Sequence, residues 1–176
     1  MSNVQCPKSQ RMFQLKPISE KSIPEALQKA ERYRLLNEPY LAESICQDIL
    51  EIEPDNHAAV VTMLLAITDQ FGSHMSANVN TARQLLPLLK NEYERHYFTG
   101  IICERQGSAI LSRGKASDHF AAYEWLTDAM ENYEKAEAVR PSNNDDAILR
   151  WNTCARLIMN HRLQPRQEQY VEPSFD

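Results

Sequence analysis

The sequence predicts an all-α chain: an array of about three antiparallel helix pairs, closed by a C-terminal capping helix. Three observations point there. Long runs rich in Ala, Leu, Glu, Gln and Arg, with few β-branched clusters, favour helix. Only 4 glycines in 176 residues leave too few tight turns for an all-β chain. A pattern also recurs, because Ala42, Cys46, Ile49, Pro54 and Asn56 stand at the same spacings as Ala129, Tyr133, Ala136, Pro141 and Asn143. Each copy is a small residue, two further apolar residues on the same helical face, and a proline that stops the helix.

The elements follow in order. Residues 1–21 carry Pro7 and Pro17 and no clear period, so they are expected to form an N-terminal arm docked in part through Met12, Phe13 and Leu15. A first helix starts near Ser22, a candidate N-cap followed by Pro24, with Ala26, Leu27, Ala30 and Tyr33 on one face. Asn37, Glu38 and Pro39 make the turn. The partner helix carries Leu41, Ala42, Ile45, Cys46, Ile49 and Leu50 and stops at Pro54. Asp55 or Asn56 caps a third helix, apolar nearly all round from Ala58 to Ile67 and ended by Gly72, which places it in the middle of the array.

A fourth helix is expected through Ala82, Leu85, Leu86 and Leu89, kinked or cut short by Pro87. A long fifth helix covers about 91–113, and a sixth about 117–139 with Ala122, Leu126, Ala129, Tyr133 and Ala136 at clean four-three-four-three spacing. Asn144 or Asp145 caps a seventh over about 146–162, with Ile148, Trp151, Ala155 and Ile158 on one face. The helical domain is thus bounded at 22–162, and 163–176 is an aperiodic tail expected to be flexible.

Composition narrows the function. A net charge of −5 and a pI near 5.6 give no general support for binding nucleic acid or an anionic membrane. No apolar run approaches the roughly 18 residues of a membrane span. The first 21 residues have no apolar core of secretory length, so no signal peptide is expected. Cys6, Cys46, Cys103 and Cys154 form no C-x-x-C pair, and three lie inside helix patterns; they are expected to be reduced and buried, as suits a cytoplasmic chain.

The 34-residue unit 23–56, with Ala30 and Tyr33 in its first helix, Ala42 in the small-residue slot of its second and Pro54-Asp55-Asn56 at its end, resembles a tetratricopeptide repeat (TPR). The resemblance covers roughly residues 23–161. It implies an α-solenoid. The later units are degenerate: Pro87 and Pro141 are 54 residues apart, about 20 more than one period, so either both helices of the third unit are extended or a loop is inserted near Arg113. Residues 144–158 are similar to a segment of uncharacterised bacterial repeat proteins.

The resemblance further implies that first helices of each pair line a concave groove. That gives a partner-binding set of Leu27, Glu31 and Arg34, then Val61, Leu65 and Thr68, then Arg95, Thr99 and Ile102, and lastly Ile148, Asn152 and Arg156. Within it Arg34, Arg95 and Arg156 would form a basic strip for the carboxylates of an extended acidic peptide. The bland alternative pairs each arginine with a local acid such as Glu31, Glu92 or Asp146. The family's clamp for chaperone C-termini needs lysine and asparagine where this chain has Leu27, Glu31, Val61 and Leu65, so no such clamp is expected.

No phosphate-binding glycine loop, G-x-S-x-G or H-E-x-x-H occurs, and His57, His74, His96, His119 and His161 are scattered. Glu92 and His96 stand one turn apart, a spacing more often an exposed contact than a metal site. No catalytic residue, metal or other cofactor is therefore expected. The leading expectation is a protein–protein interaction scaffold, not an enzyme, with a protein or acidic peptide as partner. The alternatives are a dedicated chaperone of a secreted client, and a regulatory or enzymatic protein with a site near His96, Glu104 and His119. Trp151 is expected in the core. Trp125, if exposed, would suggest a contact surface or a homodimer.

Overall fold

The computed structural model describes residues 13–73 and 79–166, and all regular structure among them is helical. Seven α-helices follow in order: α1 (Ile23–Leu35), α2 (Pro39–Leu50), α3 (His57–Asp69), α4 (Val79–Arg83), α5 (Glu92–Ser112), α6 (His119–Ala138) and α7 (Asp146–His161). Residues 1–12, with Cys6 and Met12, the segment holding His74, and the tail beyond Arg166 lie outside the described residues.

Local chemistry sets the helix ends. At the end of α1, Asn37 takes a left-handed conformation (φ 62°), and the Asn37 and Glu38 amides donate back to the carbonyls of Arg34 and Tyr33. That is the paired bond of a Schellman cap, and asparagine tolerates the left-handed position better than most residues. Pro39 then opens α2, where its missing N–H costs nothing. Asn56 caps α3, its side-chain oxygen accepting from the Ala59 amide at 3.0 Å. Asn91 does the same for α5 through the Glu94 amide at 2.8 Å. Ser22 and Asp145 occupy cap positions without a capping side-chain bond; it is Asn144 that accepts from the Asp146 amide at 2.9 Å.

α4 is shorter than the sequence pattern predicts. It stops at Arg83, and Leu86–Leu88 continue only as a single 3-10 turn. Pro87 supplies no amide for an α-helical bond, so Leu85, Leu88 and Leu89 bond to carbonyls three residues back. The 54 residues from Pro87 to Pro141 are taken up mainly by two long helices: α5 has 21 residues and α6 has 20, joined by a short connection through Gly114.

α1 packs on α2 and α2 on α3; α5 packs on α6 and α6 on α7; α3 also touches α5. The small and apolar positions of the recurring pattern are all buried: Ala42, Cys46 and Ile49 in α2, and Ala129, Tyr133 and Ala136 in α6. One group of core residues joins Val60, Leu64 and Ile67 of α3 to Ala82, Leu85 and Leu89 and to Phe98, Ile101 and Ile102 of α5. Another joins Cys103 and Ile110 of α5 to Ala122, Leu126, Ala129 and Tyr133 of α6 and Ala147 and Cys154 of α7. Tyr97 packs against both. Leu163 is buried in the second group, so the folded part runs past the expected boundary at 162. The arm differs from expectation as well: Phe13 and Leu15 are 92% and 89% exposed, and the contact with the helices is made by Ile18.

The α5–α6 seam is unusually close. A Cβ on Gly100 would stand 2.5 Å from Cε1 of Tyr133, and one on Gly107 would stand 3.0 Å from Cγ of Leu126. Gly100→Ala should therefore lower unfolding stability by about 1–2 kcal/mol, the overpacking cost outweighing a gain of about 1 kcal/mol in helix propensity. Gly107→Ala should cost less. Urea unfolding of the two variants beside the parent checks the ranking.

Cys46, Cys103 and Cys154 are buried free thiols. Burial is the main force that pushes them from an ordinary 9.0 to about 12, about 11 and about 12. Burial, with the Glu104 carboxylate beside it, also pushes the Tyr133 phenol up from 10.0. Each group stays protonated in the fold at a pH where the unfolded chain has ionised. Their contribution is thus complete below about pH 8.5 and is lost as pH climbs through the thiol and phenol range. Urea midpoints should be flat from about pH 7 to 8 and fall steadily above about pH 9, less steeply in Cys154→Ala.

Candidate functional site

α3 is apolar along almost its whole length, and its last residue is its only acid. That residue, Asp69, has a side chain only 17% exposed and takes two guanidinium groups: Arg34 Nε of α1 at 2.7 Å and Arg105 Nη1 of α5 at 2.5 Å. One carboxylate thus ties three helices, leaving one net positive charge and several guanidinium N–H groups that bond to no described residue. On the same face of α3, at steps of four, lie the half-buried Val61 and Leu65. Beside this point Gln70 is anchored to Glu43 of α2 at 2.6 Å and to the Ala66 carbonyl at 3.2 Å.

A second polar cluster lies further along α5. Glu104 is 5% exposed and accepts from the Tyr133 hydroxyl at 2.6 Å and from Arg150 Nη1 at 3.0 Å. It links α5, α6 and α7. A third pair joins α3 and α5: His57 Nε2 meets Glu94 Oε1 at 3.0 Å, while His57 Nδ1 is buried without a partner among the described residues.

Of the expected partner-binding residues, the structure gathers one group. Arg34 reaches Asp69, and Val61 and Leu65 share the Asp69 face. Leu27 packs beside Ile23, Ile49 and Ala59, and Glu31 is exposed on α1. Thr68 is 2% exposed, its hydroxyl spent on the Leu65 carbonyl at 3.0 Å, so Asp69 stands at the surface in its place.

The α5 set is out of phase. Ile102 is fully buried with Leu85 and Leu89, and Arg95 donates to the Leu89 carbonyl at 3.1 Å. Thr99 bonds back to the Arg95 carbonyl at 2.6 Å. Ile102 and Arg95 therefore face the segment around Leu89, and Thr99 spends its hydroxyl on its own helix. Arg105, about 80° round the helix and about 15 Å along it from Arg95, faces α3. On α7, Arg150 points to α5, whereas Ile148, Asn152 and Arg156 lie on the opposite side; Arg156 is exposed and bonds to no described residue. Arg34, Arg95 and Arg156 do not form one strip. Nor do the local acids take them: Arg34 pairs with Asp69 rather than Glu31.

The residues of the enzyme alternative stay apart. His96 meets Glu92 at 3.5 Å on its own helix, Glu104 is held by Tyr133 and Arg150, and His119 opens α6. No group of three or more His, Cys, Asp or Glu is placed to hold a metal ion among the described residues. No helix among them is long and apolar enough to cross a membrane. Trp125 is half-buried beneath Arg83, whose guanidinium carbon is 5.6 Å from the ring centroid, and Trp151 is half-buried against α6.

Asp69 and Arg105 were absent from the expected residues, and Glu104 figured only in the enzyme alternative. The available signal was the isolated acid: Asp69 ends an apolar helix, and Glu104 follows Ile101-Ile102-Cys103. A lone carboxylate in an apolar run needs a cationic or hydroxyl partner. Comparison of the chain with models of protein families, with curated proteins and with solved structures finds no match.

The two clusters should differ in stability cost. Arg150→Leu strands the buried Glu104 carboxylate and should cost about 3–5 kcal/mol. Asp69→Ala leaves two partly solvated arginines and should cost about 1–3 kcal/mol. Urea unfolding near neutral pH measures both.

Proposed function

We propose that the protein is a cytoplasmic protein–protein interaction scaffold, a degenerate TPR-like array that takes an extended acidic peptide across α1, α3 and α5. Support for the array comes from successive helices packing on one another, with α3 touching α5 across the intervening α4. The observation that carries the binding reading is the convergence of Arg34 and Arg105 on Asp69 beside Val61 and Leu65. Two guanidinium groups share one carboxylate, so a second carboxylate has donors to meet. The apolar side chains offer contact for residues between the peptide's acids. Arg105 thereby replaces Arg95 and Arg156 in the peptide-binding role.

The function lies in positioning a partner, with no chemical step. Half-exposed guanidinium groups recognise carboxylates bidentately, and their prior pairing with Asp69 holds their rotamers, which reduces the entropy lost on binding. The buried free cysteines suit a reducing compartment.

A panel of fluorescein-labelled extended peptides with two or three acidic residues separated by apolar ones tests this by anisotropy. Binders should weaken with added salt. Arg34→Gln/Arg105→Gln should lower their affinity about tenfold, a loss of about 1.4 kcal/mol. Arg95→Gln/Arg156→Gln should leave it unchanged. An equal loss in both variants, or none in the first, overturns the proposal.

A further inference from the structure

Where the C-terminal turns of α6 meet the first turns of α7, a cavity of about 280 Å³ opens to solvent, lined by Glu134, Glu137, Ile148 and Trp151. We propose that this cavity is a recognition pocket for an arginine side chain of a partner protein. It lies just below the roughly 300–1,000 Å³ of pockets that enclose whole small molecules, and suits a single inserted side chain.

Its chemistry selects a cation. The Trp151 indole N–H donates to Glu134 Oε1 at 2.9 Å, which orients the ring and occupies one carboxylate oxygen. The other oxygen of Glu134 and both of Glu137 make no hydrogen bond or ion pair with a described residue. Neighbouring arginines are already committed: Arg140 is paired with Asp145, and Arg150 with Glu104. Lys135 projects about 100° away from Glu134 on the helix. The negative pole of α6 ends at Ala138, close to Glu134 and Glu137, and adds to their field. The opposing positive pole of α7 is answered by Asp145 and Asp146 at its start.

Arginine fits this set better than lysine. Its flat guanidinium stacks on an indole while its edge donates two parallel bonds to a carboxylate. Ile148 supplies apolar surface for the methylene stem. The pocket lies on the α6–α7 side of the molecule and does not depend on the peptide reading above.

The test titrates the ¹⁵N-labelled full chain with N-acetyl-arginine amide and, in parallel, with its uncharged analogue N-acetyl-citrulline amide. The Trp151 indole N–H resonance, assigned by its loss in Trp151→Phe, is the readout. It should shift saturably with the arginine compound alone, less so with added salt, while the Trp125 resonance stays in place. Glu134→Gln/Glu137→Gln should weaken binding about tenfold. Both glutamates are exposed, and a thermal melt like the parent's confirms that this variant folds. Ile148→Arg, which fills the cavity with the chain's own guanidinium, should abolish the response. An equal response to the citrulline compound, or unchanged binding in either variant, overturns the proposal.

Discussion

The structure depends on how closely α5 approaches α6. With no side chain at Gly100, the Tyr133 ring lies directly on the α5 backbone. Its hydroxyl is then buried and must be satisfied, which Glu104 does. That brings a carboxylate into a nearly dry place, where it needs a positive partner. Arg150 supplies it from α7 and so fixes where the last helix docks. One missing Cβ thus governs three helices through a chain of obligations, each created by the one before.

The two halves of the molecule are joined through α5. Phe98, Ile101 and Ile102 belong to the core shared with α3, while Cys103 and Ile110 belong to the core shared with α6 and α7. Tyr97 packs against both; its ring stacks on Tyr93 at 5.7 Å and meets Phe98 edge-on at 5.3 Å. Asp69 does the polar counterpart of this work, drawing α1 and α5 to the end of α3. Apolar burial supplies most of the holding energy, at about 1.5–3 kcal/mol for each fully buried large side chain. The shared carboxylates decide the angle and register at which the faces meet.

The helices were legible because their signals are local. Proline, asparagine and three-four spacing mark both ends of α1 and α3 and the start of α2 within about two residues, whereas α2 ends at Leu50, four residues before the expected stop at Pro54. The placement of site residues was less legible, because it depends on the phase of each helix about its own axis. Over α1 the spacing of Ala26, Ala30 and Tyr33 gives that phase cleanly. Over α5 nearly every face is covered by some neighbour, so apolar residues occur all round and periodicity no longer separates inside from outside. Arg95 and Ile102 were misplaced for this reason. The pairing of Asp69 with residues 35 and 36 positions away in either direction is a tertiary fact that no local pattern encodes.

The truncated α4 has a consequence for how the molecule breathes. Its five residues and the single turn around Pro87 are held largely by three-residue bonds, yet they cover the apolar faces of α3 and α5. This cover can detach without breaking Asp69 from its arginines or Tyr133 from Glu104. Residues 79–89 are therefore expected to open as a local unit at less cost than α3 or α5, and to admit amide exchange before those longer helices.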